Sequence, residues 1–186
     1  MKFASNLARF ALSPFDAARR GETSAARTAL PRTIHELLVR QAERFGAAPA
    51  IVVADRQPLD YATLLAEVER ATATLAAAGI GRRSRVALAL PNAPESVTAI
   101  LATLCAGVCV PLNPALGRVP GEALLRKLRI DALIVPEDAD SPIEALARSL
   151  GLGVFRLAPA PHRPAGAVLL RSESARPRIA RSLPSP

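Results

Sequence analysis

The stretch Arg85-Val-Ala-Leu-Ala-Leu-Pro-Asn-Ala-Pro-Glu-Ser-Val-Thr-Ala-Ile-Leu-Ala-Thr-Leu-Cys-Ala-Gly-Val-Cys-Val-Pro-Leu-Asn-Pro114 decides how the chain is read. Residues 86–90 are a short apolar run, and the Pro91-Asn92 pair that follows cannot continue a buried strand. Asn92 offers a side-chain oxygen near a helix start, Pro94 suits a first helical turn, and Glu95 favours the positive end of the helix. The helix predicted over 95–106 places Val97, Ile100, Leu101 and Leu104 on one face, read as the core-facing one. Gly107 is expected to close it in the left-handed conformation. Residues 108–112 then form a second apolar run. Strand, helix and strand with tight joints make a βαβ unit, with both strands expected to be buried on two faces.

No charge occurs between Ser96 and Gly117, which raises the question of a membrane span. A spanning helix needs ~20 predominantly apolar residues. Gly107, Pro111, Asn113 and Pro114 break the second half, so the stretch reads as core.

Outward from this unit the pattern alternates. Thr33 followed by Glu36 is a capping-box signature, and Ile34, Leu37, Leu38 and Ala42 form the apolar face of a helix ending near Phe45-Gly46. Residues 50–53 read as a strand, 55–58 as a turn, and 59–61 as a second strand or the lead into a helix. The helix over 62–78 turns Leu64, Leu65, Val68, Ala71 and Leu75 inward, and Gly79 and Gly81 end it. Beyond the central unit come a helix over 119–128, a strand over 131–135, a helix over 142–150 and a strand over 153–157. Such alternation with short joints indicates an α/β fold, a mostly parallel sheet flanked by helices.

The 186 residues suffice for one domain with a real core. The expected organisation is a weakly ordered N-terminal extension over 1–32, an α/β body over 33–157, and a disordered Pro/Arg-rich tail over 158–186. The net charge of +8 is unevenly spread, since the body carries 13 Lys+Arg against 13 Asp+Glu and the excess lies in the tails. With no Trp and one Tyr for base stacking, specific nucleic-acid binding is not expected. The amphipathic start, with Phe3, Leu7 and Phe10 on one face, lacks the apolar core of a secretory signal and reads as a frayed terminus rather than an organelle address. Cys105 and Cys109 read as free cysteines in a reducing, cytoplasmic setting.

Motifs for chemistry are missing. There is no phosphate loop, no Gly-x-Gly-x-x-Gly and no Gly-x-Ser-x-Gly elbow. His35 and His162 have no evident nucleophile to serve. The arginines 82, 83 and 85 read as a solvated loop after a helix. Glu137, Asp138 and Asp140 follow a strand, where α/β proteins bind ligands, but read as a solvated turn.

The runs Thr33-Ile-His-Glu-Leu-Leu, Ala50-Ile-Val-Val, Leu59-Asp-Tyr-Ala-Thr-Leu and Ala76-Ala-Ala-Gly-Ile-Gly resemble, in that order, the N-terminal part of the acyl-adenylate-forming (AMP-binding) enzymes. The resemblance is strongest over residues 85–95 and over Leu104-Cys-Ala-Gly-Val-Cys-Val-Pro-Leu-Asn-Pro114, and Pro-Leu-Asn-Pro points to the acyl-CoA synthetase branch. Cys105 stands where the family commonly has lysine, and Cys109 where an aromatic is common. The resemblance implies the first subdomain of an AMP-dependent acyl-CoA synthetase or ligase of fatty acid metabolism, a fold that helps frame the acyl and CoA side. The complete enzyme uses ATP, magnesium and CoA. Its Ser/Thr/Gly-rich loop ending in Pro-Lys-Gly, its later adenine and ribose segments and its C-terminal lysine do not occur in this chain. No catalytic, cofactor-binding or metal-binding residue is therefore carried over, and no cofactor is expected here. The implied chain is an inactive lobe, from a gene remnant or a split enzyme, that self-associates or pairs with the missing lobes. The alternative from another class is a stand-alone α/β module that binds a ligand or a protein.

Overall fold

A computed structural model describes residues 30–138 and 141–173. The elements run α1 (Ile34–Phe45), β1 (Pro49–Ile51), β2 (Leu59–Asp60), α2 (Tyr61–Ala77), β3 (Arg85–Leu88) and α3 (Pro94–Ala106). They continue with β4 (Val108–Pro111), α4 (Arg118–Lys127), β5 (Ala132–Pro136), α5 (Pro142–Ser149), β6 (Gly153–Pro159) and β7 (Val168–Ser172). β1 and β2 form an antiparallel pair, and the main sheet has the order β4-β3-β5-β6-β7, parallel except for β7.

Strand alternation sends side chains to two cores. Val86, Leu88, Ala132, Ile134, Phe155 and Leu157 pack with α2 and α3 on one face. Ala87, Leu133, Val135 and Val154 pack with α4 and α5 on the other. This is why residues 86–90 and β5 read as unbroken apolar runs, while β6 is interrupted by Arg156. α1 starts on Thr33, whose hydroxyl accepts the Glu36 N–H at 3.0 Å. The Glu36 carboxylate takes the Arg32 N–H instead of completing the reciprocal box on Thr33.

The central unit is present, but its sidedness differs from the expectation. α3 buries Thr98, Ala99, Ala102, Thr103 and Ala106, while Val97 is 44% and Leu104 42% exposed. Ile100 and Leu101 are half-buried at the margin. Small side chains let α3 approach α2 and the sheet closely, and the Thr72 hydroxyl reaches the Ala102 carbonyl at 3.3 Å. The larger aliphatics are left on the far side.

β4 likewise is not buried on two faces. It is an edge strand, and Val108 is 43% exposed. Val108 and Leu112 donate inward to the Ser84 and Leu88 carbonyls, so the backbone nitrogens of Cys109 and Pro111 face the open edge. Pro111 has no N–H to offer a further strand, which limits edge-to-edge pairing.

Two joints also correct the sequence reading. Ala93, not Asn92, is the N-cap of α3, and it makes no side-chain bond. Gly107 is extended at φ −165 rather than left-handed. Its glycine is required by space, because a Cβ there would meet the Ser84 carbonyl oxygen at 2.7 Å and that of Gly81 at 2.8 Å.

The largest correction concerns the C-terminal region. β6 runs on to Pro159, and β7 pairs with it through the register Leu157↔Leu170 and Pro159↔Val168. Residues 158–173 therefore belong to the body and are not a disordered tail. Expectations for residues 1–29, for Asp140 and for 174–186 lie outside the described residues.

Candidate functional site

The winding reverses between β3, whose crossover leads to β4, and β5, whose crossover leads to β6. The C-terminal strand ends at such a reversal are where α/β folds ordinarily hold ligands. Beside this point the Pro91-Asn92 turn, the start of α3 and the end of β4 enclose an open depression of about 240 Å³. Its walls are mostly apolar, including Leu90, Val97, Ile100 and Leu112. Ser96 closes its floor by donating to the Pro91 carbonyl at 2.7 Å.

Three buried carboxylates organise the rest of the body, and none was singled out as an anchor from the sequence. Glu95 was read as a helix-dipole residue; it also holds the connection between β6 and β7. It pairs with Arg56 at 2.8 Å and accepts the Gly166 N–H at 3.2 Å. The Thr98 hydroxyl donates to the Gly166 carbonyl at 2.7 Å, and the Ala165 N–H donates to Gln57 at 2.9 Å. Gly166 has φ +91, and a Cβ there would lie 2.8 Å from Ile51 Cδ1, so this position admits glycine alone. Burial pushes the Glu95 carboxyl up, but the hydrogen bond from Arg56, with those from backbone N–H groups, outweighs it and leaves the group below its ordinary value.

Glu67, in the middle of α2, accepts the Val168 N–H at 3.0 Å and pairs with Arg163 at 2.9 Å and with Arg70. Glu144 pairs with Arg148 at 2.7 Å and with Arg156. Both arginines also reach Glu173. Burial alone would raise the Glu173 carboxyl, yet hydrogen bonds from Arg148 and Arg156 prevail and lower it. The three acids thus tie α2, α3 and α5 to the last hairpin. A glutamate inside an amphipathic helix looks like a surface residue in sequence, and partners 71 and 101 residues away give no local signal.

The residues weighed in the sequence do not assemble into a catalytic group. His35 bonds Glu69 at 2.9 Å on the surface, and His162 is exposed in the β6–β7 connection with φ +56. Glu137 pairs with Arg171 at 2.9 Å, and Asp138 is exposed. Cys105 and Cys109 are free and half-buried. Burial raises both thiols, and Glu69 adds to the effect at Cys105. Among the described residues no group of three His, Cys, Asp or Glu side chains fits a metal ion, and no helix is long and apolar enough to cross a membrane.

The donors at the strand ends do not fit a nucleoside triphosphate. Arg56 and Arg163 already neutralise Glu95 and Glu67, and Glu137 and Asp138 add negative charge. What this end of the body offers is an apolar wall.

A probable CoA ligase of Humulus lupulus is 30% identical over 142 residues, covering 70% of this chain and 27% of that protein. A mitochondrial medium-chain acyl-CoA ligase of Danio rerio is 35% identical over 106 residues, covering 56% and 18%. The chain thus spans about a quarter or less of these relatives. Among solved structures, a putative long-chain-fatty-acid CoA ligase from Rhodopseudomonas palustris superimposes with TM-score 0.61 at 22% identity, over 68% of this chain and 33% of that one. A benzoate CoA ligase from Burkholderia xenovorans gives 0.59 at 20% identity, over 66% and 25%. The fold shared with them is that of the N-terminal region of adenylate-forming enzymes. The model of the AMP-binding enzyme family matches residues 38–175, from α1 past the end of β7, and the chain belongs to that family.

Proposed function

We propose that the chain is the first lobe of an AMP-forming acid–thiol ligase. The assembled enzyme joins ATP and a carboxylate into an acyl-adenylate and passes the acyl group to CoA, in fatty acid metabolism and in the cytoplasm. This lobe alone does neither. The observation that carries the reading is the set of exposed aliphatics Val97 and Leu104 on α3 and Val108 beyond it, with Ile100 and Leu101 half-buried between them. It lies within the stretch that most resembles the family, and its exposed members lie outside the body's own cores. A face of this kind is suited to burial against a second lobe.

The role of this chain's residues in that enzyme is structural. The buried glutamates fix the last hairpin, and the wall formed by Leu90, Val97 and Leu112 supplies apolar lining beside the neighbouring lobe. ATP and magnesium are held by groups other than those described here, given the charge balance at the strand ends.

The test is ATP–pyrophosphate exchange by the purified chain across a panel of short, medium, long and aromatic carboxylates. No exchange above a protein-free blank is expected. Carboxylate-dependent exchange by the chain alone would overturn the proposal.

A further inference from the structure

We propose that the N-terminal edge of the parallel sheet is a docking surface for anionic lipid bilayers. Parallel pairing brings the loops before β3 and before β5 to the same edge. They are locked together there: Arg85 N donates to Asp131 Oδ2 at 2.8 Å, Asp131 N donates to the Arg85 carbonyl at 2.8 Å, and Arg85 Nη1 reaches the Leu128 carbonyl at 2.8 Å. This rigid rim presents Arg82, Arg83, Lys127 and Arg129, all exposed. None of these four side chains is engaged in an ion pair or hydrogen bond among the described residues. The rim's carboxylate, Asp131, is occupied by the Arg85 N–H.

The cluster stands out because residues 33–157 as a whole are charge-balanced, so positive charge is gathered at one end. Helix dipoles explain part of it. Lys127 lies in the last turn of α4, where cations are favoured. Arg82 and Arg83 lie beyond the last turn of α2, where that effect has faded.

Two depressions on this edge, each with a mixed polar and apolar lining, lie beside guanidinium groups. One, of about 360 Å³, places Arg82 by Thr33 and Ile34. The other, of about 250 Å³, places Arg129 by Ile130 and Leu152. Cations flanking shallow, partly apolar hollows suit an interface where phosphate headgroups overlie acyl chains. A duplex nucleic acid would use the cations and leave the hollows empty.

The experiment is flotation of the full 186-residue chain with phosphatidylcholine vesicles, with or without about one-third phosphatidylglycerol. Binding to the anionic vesicles and not to the neutral ones is expected, weakening with salt. Each basic group at such a surface contributes roughly fivefold, so neutralising three in R82Q/R83Q/K127Q lowers the partition coefficient by about a hundredfold and R82E/R83E/K127E lowers it further. The charge-matched variant R176E/R178E/R181E, in the C-terminal segment, loses less than about tenfold. The neutral variant R82Q/R83Q/K127Q shows an intermediate loss, and it serves if the charge-reversed protein does not fold. Any of four results overturns the proposal: equal binding to neutral vesicles, wild-type binding by either rim variant, an equal loss from the C-terminal variant, or tighter binding to duplex DNA than to vesicles at equal phosphate.

Discussion

The two helices α2 and α3 pack side by side, carry similar alanine-rich sequences and use their apolar residues in opposite ways. α2 turns Leu64, Val68 and Leu75 into the core, and Leu75 is fully buried. α3 turns alanines and threonines inward and leaves Val97 and Leu104 in solvent. Hydrophobic periodicity finds both helices but reports only the spacing of their large residues. Which side faces home depends on how closely the neighbours approach. Around α3 they approach closely, because Gly107 lets the backbone at the helix end lie against the Gly81 and Ser84 carbonyls. The contrast separates a helix that buries its large side chains in this body from one that leaves two of them exposed.

Substitution at matched leucines breaks or sustains this contrast with the largest effect. Leu75→Ala removes a fully buried side chain and is expected to cost about 2–5 kcal/mol, read by urea denaturation. Leu104→Ala removes an exposed one and is expected to stay within about 0.5 kcal/mol of the wild type. Equal losses at the two positions would mean that α3 is packed as the sequence alone suggested.

A smaller effect sharpens the role of the buried acid at the start of α3. The Glu95 carboxyl is held below its ordinary value of 4.5. A depressed folded value means that its contribution to stability is complete above 4.5 and is lost as pH falls through the lower folded value. Glu173 adds in the same direction. The melting temperature is therefore expected to fall as pH drops from about 5 toward 3, and Glu95→Gln to flatten part of that slope. A slope unchanged by Glu95→Gln would remove Glu95 from the account of the last hairpin.

Much of the fold was legible in the sequence because its signals are local. Apolar runs closed by Pro91-Asn92 and by Pro111, and the Thr33 cap, mark element ends within a few residues. The sequence order of strands and helices follows from these. β7 was not legible as part of a unit. It is short, it pairs antiparallel with a strand otherwise in a parallel sheet, and the sequence leading to it carries three prolines, Pro159, Pro161 and Pro164. What holds it is non-local: Val168 N–H on Glu67 and Gly166 N–H on Glu95. The candidate site was legible as a resemblance and as the strand–helix–strand unit over 85–114. Its orientation was not, since α3 carries apolar residues around most of its circumference and periodicity cannot rank two apolar faces.

The central claim, that the exposed aliphatics of α3 with Val108 form an interface awaiting a second lobe, is tested most directly by light scattering of the purified chain with an apolar dye. The wild type is expected to self-associate and to bind the dye. Val97→Ser/Leu104→Ser is expected to lower both while changing stability by less than about 1 kcal/mol. A wild-type chain that runs as a clean monomer and leaves the dye dark would contradict the claim, as would a variant that associates as strongly as the wild type.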